Sequence, residues 1–216
     1  MLPDSSLTED FAQECLKGIV LKKSFFDRPT PIVACDLLGK VLVHETRKGI
    51  LAGMIVETEA YLGAKDPACH ASAGRTERTR MFYQEDPAGT VYVFSMRIYS
   101  CLNVLTSGDE PAGCVLLRAV EPLLGIDIMR RNRKAKNNTE LTSGPGKLTE
   151  AFDISKVYNG HSITDSPLKI MDCNFNNYVP SVTIRVGISK AWQYPLRYIL
   201  PDSPFVSRTG LLLDSY

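Results

Sequence analysis

The chain has little from which to build a metal centre. Its 216 residues include only three histidines, His44, His70 and His161, and none stands at ligand spacing from another. Six cysteines (Cys15, Cys35, Cys69, Cys101, Cys114, Cys173) are scattered without a C-x-x-C pair. That excludes a zinc ribbon and reads as reduced, mostly buried thiols in a cytosol-like compartment. Excess charge is missing too. The 25 basic and 24 acidic side chains leave a net +1, so the overall balance is silent about a polyanionic partner. No apolar run approaches membrane length. The opening residues (MLPDSS) have neither the cationic start and apolar core of a secretory signal nor the arginine-rich character of a transit peptide. Internal repeats, low-complexity linkers and the P-loop pattern are absent. The expectation is a soluble, intracellular protein whose 44% hydrophobic content supports one sizeable core.

The most informative stretch is 55–70 (IVETEAYLGAKDPACH). Residues 54–61 read as a strand, stopped by Gly63 and the Asp66, Pro67 pair. Alternation along a strand puts Glu57, Glu59 and Tyr61 on one face. Carboxylates are rarely buried unless paired or at work. This face is therefore the wet side of an edge strand, a glutamate satisfied by a distant arginine, or a site. From the stretch alone, the first two are the commoner outcomes. His70 follows a short turn-rich loop that folds it back toward the strand end.

In chain order, the sequence SLTE at 6–9 matches a capping box opening a helix through about residue 17. A second helix spans 31–38 and ends at Gly39; strands at 40–46 and 51–61 are joined by a turn at Lys48 and Gly49. The connection 62–86 has little apolar periodicity, a property of functional or disordered loops. Within it, 74–80 (GRTERTR) presents Arg75, Arg78 and Arg80 among threonines. That composition suits phosphate oxygens, although a solvated loop with one ion pair to Glu77 is commoner for so short a run. A strand at 89–94 carries Tyr92 and Phe94 on one face, and the hairpin after it projects Met96, Arg97 and Tyr99. The strand 114–120 reads as fully buried yet contains Arg118, which demands a buried carboxylate or a ligand. A helix from about Leu123 ends in five cations within 130–136, either a basic patch or a solvated helix end. Ser143 is placed to cap a helix from Pro145, turning free N–H groups and Lys147 toward one place where an anion would sit. Strands near 168–171, 182–186 and 196–200 complete the sheet.

Taken together, 55–63 (IVETEAYLG), His70, 115–122 (VLLRAVEP), 143–148 (SGPGKL) and the closing 201–207 (PDSPFVS) resemble the alkyladenine (3-methyladenine) DNA glycosylase family. The resemblance runs from about Phe25 to Ser207 with the motifs in order. It implies an α+β fold: a single domain with a curved, mostly antiparallel sheet, peripheral helices and a protruding β-hairpin. The implied limits are an N-terminal helical arm at 1–24, the glycosylase domain at 25–208 and a tail at 209–216. The implied activity is monofunctional: a damaged purine is flipped out of double-stranded DNA and its N-glycosidic bond hydrolysed in base excision repair, without cofactor or metal, by a monomer. On this resemblance Glu59 is the general base that activates water, and Arg118 holds that water and a neighbouring phosphate. Tyr61, His70 and Phe94 wall the base pocket, where aromatic faces suit an alkylated, cationic purine. His70 also bonds the nucleotide near its sugar or phosphate. Asn103 crowds the pocket against a guanine amino group, and Leu116 lines it. Arg75, Arg78, Arg80, Ser143, Gly144 and Lys147 are the expected DNA-backbone contacts. No lysine adjoins Glu59 to form a Schiff base; Lys65 sits in the loop.

The hairpin departs from the family pattern. Its better-known branch carries an intercalating tyrosine, whereas this hairpin is one residue shorter and places Met96 at that position, with Arg97 and Tyr99 as alternatives. Phe94 replaces a common tyrosine. These departures leave the breadth of substrate, hypoxanthine and ethenoadenine included, open. Two other functions fit parts of the sequence: a lesion- or DNA-binding relative with weak catalysis, and an N-ribohydrolase of free nucleosides. Intact Glu59 and Arg118 speak against the first, and the cationic runs against the second.

Overall fold

The computed structural model describes residues 12–96, 98–165, 167–173 and 178–207. The capping-box residues and the tail expected at 209–216 lie outside them. Helix α1, described over 12–16, leads into β1 (Ile19–Val20). Helices α2 (Lys23–Phe26) and α3 (Thr30–Asp36) follow, then β2 (Val41–Thr46) and β3 (Gly49–Tyr61). The connection after β3 folds into three short 3₁₀ turns, Gly63–Lys65, His70–Ala73 and Arg80–Tyr83. Next come the hairpin β4 (Val91–Met96) and β5 (Tyr99–Thr106), the long strand β6 (Gly113–Leu124), and helices α4 (Ile126–Asn132), α5 (Thr139–Thr142) and α6 (Pro145–Ala151). β7 (Leu168–Asp172), β8 (Ser181–Thr183) and β9 (Arg197–Ile199) close the chain.

The nine strands form one sheet in the order β1-β7-β2-β3-β6-β5-β4, with β9 beside β3 and β8 beside β9. The strand pairings are antiparallel, so the fold is α+β as the family resemblance implied. β3 organises it. One edge of β3 pairs with β6, while the other is shared by β2 along its first half and β9 along its second. The β3–β6 ladder breaks register around Glu57, where Arg118 falls without an opposite residue. A bulge of this kind bends the strand and re-aims a side chain.

The main core packs Leu42, Leu51, Ile55 and Val120 against Leu148 and Phe152 of α6 and its end. A smaller core joins Cys69, Met81 and Phe82 of the 62–86 connection to Tyr92, Leu105 and Cys114. That second cluster pins the long connection to the sheet, and this is why a stretch without helical or strand periodicity is nonetheless ordered. Three local expectations change. The strand read as ending at Val120 continues to Leu124, because Gly125 takes a positive φ of 78° and turns the chain into α4 only there. β8 stops at Thr183, so residues 184–188 leave the ladder, and Arg185 and Val186 bond Ala60 and Glu59 of β3 instead. Helix α6 is capped by Gly144 with φ 144°, not by the Ser143 side chain.

Candidate active site

β3 is buried on both faces from Leu51 to Ala60, so its acidic side is not wet. Glu57 and Glu59 have no exposed surface. Register explains how they meet their partners. Arg197 stands opposite Glu59, Glu59 opposite Leu116, Leu116 opposite Asn103, and Asn103 opposite Tyr92. Residues directly opposite in an antiparallel sheet share a face. One row therefore carries the buried glutamate, the pocket floor and an aromatic wall across β9, β3, β6, β5 and β4.

Glu59 is held on three sides. The Tyr61 hydroxyl donates to Oε2 at 2.8 Å, the Val186 N–H donates to Oε1 at 2.8 Å, and Arg118 Nη1 lies 3.4 Å from Oε2. Burial and then the neighbouring Glu59 charge push the Tyr61 phenol well above its ordinary range, so it stays protonated and donates. Arg118 turns its Nε to Glu57 Oε1 at 2.7 Å. Burial opposes its charge, but Glu59 and Glu57 outweigh burial and keep the guanidinium ionised.

Glu57 is the most heavily satisfied carboxylate here. It accepts from Arg118 Nε, from Arg197 Nε at 2.8 Å, and from the Ser207 N–H and hydroxyl at 2.7 and 2.8 Å. Burial alone would raise its pKa, yet the two arginines and the Ser207 N–H outweigh burial and hold it below the usual carboxylate value. The two glutamates thus divide the possibilities: Glu57 is the carboxylate satisfied by arginines, and Glu59 shares one of them at the pocket.

Beside Glu59 opens a cavity of about 390 Å³ lined by Tyr61, His70, Tyr92, Phe94, Asn103 and Leu116, among others. Glu59 lies beneath its wall, behind Tyr61 and Val186. Tyr92 and Phe94 stack at 5.6 Å with 29° between their planes, and His70 meets Phe94 edge-on at 4.6 Å. The Asn103 amide donates to the Tyr92 and Cys101 carbonyls, at 3.2 and 3.4 Å, which fixes it as part of the floor. A volume of this order holds a flat heteroaromatic ligand.

His70 is neutral. Burial, followed by the charge of Arg78, lowers its pKa from 6.5 to about 4. The unfolded chain therefore takes up this proton first, and acidification between about pH 6.5 and 4 removes stability. His70→Gln is expected to flatten the thermal midpoint against pH across that window; an unchanged slope would contradict this assignment.

A second, wider depression of about 680 Å³ shares Met96, Arg118 and Pro145 with the first and is also lined by Arg133, Ser143, Gly144 and Lys147. Of the cations expected on the DNA backbone, Lys147 lines this depression, Arg75 is exposed on its loop, and Arg80 pairs with Glu77 at 3.2 Å. Arg78 instead turns inward to His70 and Tyr92. At the hairpin, Met96 pairs with Tyr99, and Arg97 lies outside the described residues. Met96 is 53% exposed and borders both depressions, whereas Ile98, not singled out from sequence, is 86% exposed at the tip. Tyr99 is laid on α6: a methyl group at Gly146 would come within 2.9 Å of its Cβ.

Sequence reasoning missed a further buried pair. Arg185 has no exposed side-chain surface and grips Asp66 with both Nη atoms, Nη2 at 2.9 Å from Oδ1. It also donates to the Ala60 and Ala191 carbonyls and lies 4.7 Å from the Tyr61 ring centroid. This pair ties the end of β3 to the 184–191 segment that supplies the Val186 N–H. The rule that flagged Arg118, a cation inside an apolar run, also applies to Arg185 and Arg197. Among the described residues no cluster of histidine, cysteine and carboxylate side chains could hold a metal, and no helix is long and apolar enough to cross a membrane.

A buried carboxylate sharing an arginine beside a ringed, base-sized pocket is the equipment of an N-glycosyl hydrolase. The family model described as Methylpurine-DNA glycosylase matches residues 24–204, and the chain belongs to that family. It is a DNA N-glycosylase of base excision repair, acting on DNA. A Prosthecochloris aestuarii protein is 44% identical over 193 residues, covering 88% of this chain and 92% of the relative. One from Methanoculleus marisnigri is 42% identical over 88% of this chain and all of the relative, and one from Listeria monocytogenes is 38% identical over 89% and 98%. All three are provisionally named 3-methyladenine DNA glycosylases.

Proposed function

We propose that the chain flips damaged purines, N3- and N7-alkylated ones and deaminated or etheno-bridged ones, out of duplex DNA into the 390 Å³ pocket and hydrolyses the bond to C1′. The observation that carries this reading is the shared hold of Arg118 on Glu57 and Glu59 at the pocket wall. Water takes its place on the pocket side of the Glu59–Arg118 pair, within reach of both Glu59 Oε2 and Arg118. Its oxygen bonds to C1′ as the bond to the purine nitrogen breaks and that electron pair leaves with the base, while the water proton passes to Glu59. The ionised carboxylate also stabilises the oxocarbenium-like transition state. A cationic alkylpurine leaves as a neutral base, whereas a neutral purine leaves with the electron pair as an anion and takes its ring proton from solvent water. Tyr61, His70 and Phe94 stack on the base, with Asn103 and Leu116 below it. Lys147, Ser143, Gly144, Arg75 and Arg80 face the backbone of the DNA, and a monomer suffices for all of this.

The wedge we assign to the hairpin, with Met96 filling the gap left by the flipped base. Met96→Ala is expected to slow release from fully paired lesions roughly fivefold, and to affect mismatched lesions less, since unstacking a paired base is what the wedge offsets. A larger effect from Ile98→Ala would move the wedge to the tip.

A second reading, a lesion-binding relative with weak catalysis, draws on the full burial of Glu59 and the donors already on both of its oxygens. One experiment separates the two. Duplexes carrying hypoxanthine or 7-methylguanine are incubated with excess protein, and free base and alkali-labile sites are quantified. The glycosylase reading expects both products in equal amount. Tight binding without either product would favour the binding relative.

A further inference from the structure

Arg78 is exposed on the 62–86 connection, yet its contacts face the pocket. Its Nε donates to the Tyr92 hydroxyl at 3.1 Å, its Nη2 donates to His70 Nε2 at 3.2 Å, and its guanidinium carbon lies 5.2 Å from the Phe94 ring centroid. A guanidinium only donates, so His70 Nε2 must accept. The ring proton is then on Nδ1, which stands 2.9 Å from the Tyr92 hydroxyl and donates to it. Both ring nitrogens are thereby occupied, and His70 offers a ligand only its faces. It stacks; it does not read the edge of a base or bond a sugar.

The charge of Arg78 has its own consequence. Glu77 pairs with Arg80, and among the described residues no carboxylate pairs with Arg78. The π-system of Phe94, the natural attraction of such a pocket for a cationic base, already has a cation over one of its faces. A second full positive charge brought into the pocket, with the Arg78 guanidinium just behind its His70, Tyr92 and Phe94 wall, is repelled, while a neutral purine is not.

We propose that Arg78 is a specificity-determining residue, fixing His70 as a purely stacking wall and biasing the pocket toward neutral damaged purines over cationic ones. The proposal rests on the glycosylase reading above. A backbone contact alone, the role expected from sequence, would affect every substrate alike.

The test compares the wild-type chain with Arg78→Gln and Arg78→Lys. Single-turnover release is measured from duplexes carrying neutral hypoxanthine or cationic 7-methylguanine, and the His70 ring nitrogens are followed by NMR. In Arg78→Gln the ratio of 7-methylguanine to hypoxanthine rates is expected to rise about three- to tenfold. In Arg78→Lys, which keeps the charge, it should stay within about twofold of wild type. The His70 ring in Arg78→Gln should lose its single-tautomer signature and titrate at higher pH than in wild type. Release of both bases with an unmoved ratio, or an unmoved His70 signature, would overturn the proposal while sparing the glycosylase reading. Release of neither base by the wild-type chain would defeat both.

Discussion

Glu59→Gln is expected to lower single-turnover base release by about 10²- to 10⁴-fold while leaving affinity for the same lesion duplex within about threefold. In wild type the Tyr61 hydroxyl and the Val186 N–H bond separate oxygens of Glu59 at 2.8 Å each. The substitution keeps the size of the side chain and one oxygen, which still accepts from the Val186 N–H, while the amide nitrogen meets the Tyr61 hydroxyl, which can turn to accept. What it removes is the proton acceptor and the negative charge that faces an oxocarbenium-like transition state. Arg118 keeps Glu57 as a partner at 2.7 Å, so its position survives. Quantifying released base in the first turnover, with enzyme in excess, reads the chemical step without product release. A rate within tenfold of wild type would remove Glu59 from the chemistry.

The second large effect belongs to Glu57 and is one of stability. Glu57→Gln leaves Arg118 and Arg197 buried beside a neutral amide, where Glu57 now bonds both guanidinium Nε atoms at 2.7 and 2.8 Å. Breaking a buried ion pair from one side costs about 3–5 kcal/mol, which for a domain of this size lowers the thermal midpoint by roughly 10 °C. The wild-type contribution depends on pH. The pKa of Glu57 is depressed in the folded state, so the stability it provides is present above the ordinary carboxylate pKa and is lost as pH falls through the folded value. Acidification below about pH 4 should therefore destabilise wild type more steeply than Glu57→Gln. Equal acid slopes in calorimetric scans would show that another carboxylate carries the effect. Activity should also fall, because Arg118 loses one of the two carboxylates that aim it.

Some of this was legible in the residues and some was not. Arg118 in an apolar strand announced a buried partner, and the Glu57, Glu59 and Tyr61 alternation announced the face, because both follow from local periodicity and the cost of burying charge. Which glutamate is paired and which shares its arginine at the pocket was not legible. That depends on the register breaks around Glu57, and register is set by bulges no local pattern encodes. Asp66 read as a turn residue, yet it is the bidentate partner of Arg185, more than a hundred residues away. The inward turn of Arg78 escaped for the same reason. A loop arginine looks like a phosphate contact until the fold brings Tyr92 and His70 beneath it. Ser143 had the right chemistry for a cap, but the backbone there needed glycine geometry, and Gly144 supplies it.

On the proposed function, recognition and chemistry are separate at this site: the ringed pocket holds the base while Glu59 activates the water that displaces it. The most direct test places 2-aminopurine next to a lesion in a duplex and follows its fluorescence and the released base in the same sample, for wild type and Glu59→Gln. The prediction is an equal fluorescence rise in both proteins, with release following only in wild type. Loss of the fluorescence rise in Glu59→Gln would make Glu59 part of the pocket and not of the chemistry; release at the wild-type rate would leave it with neither role.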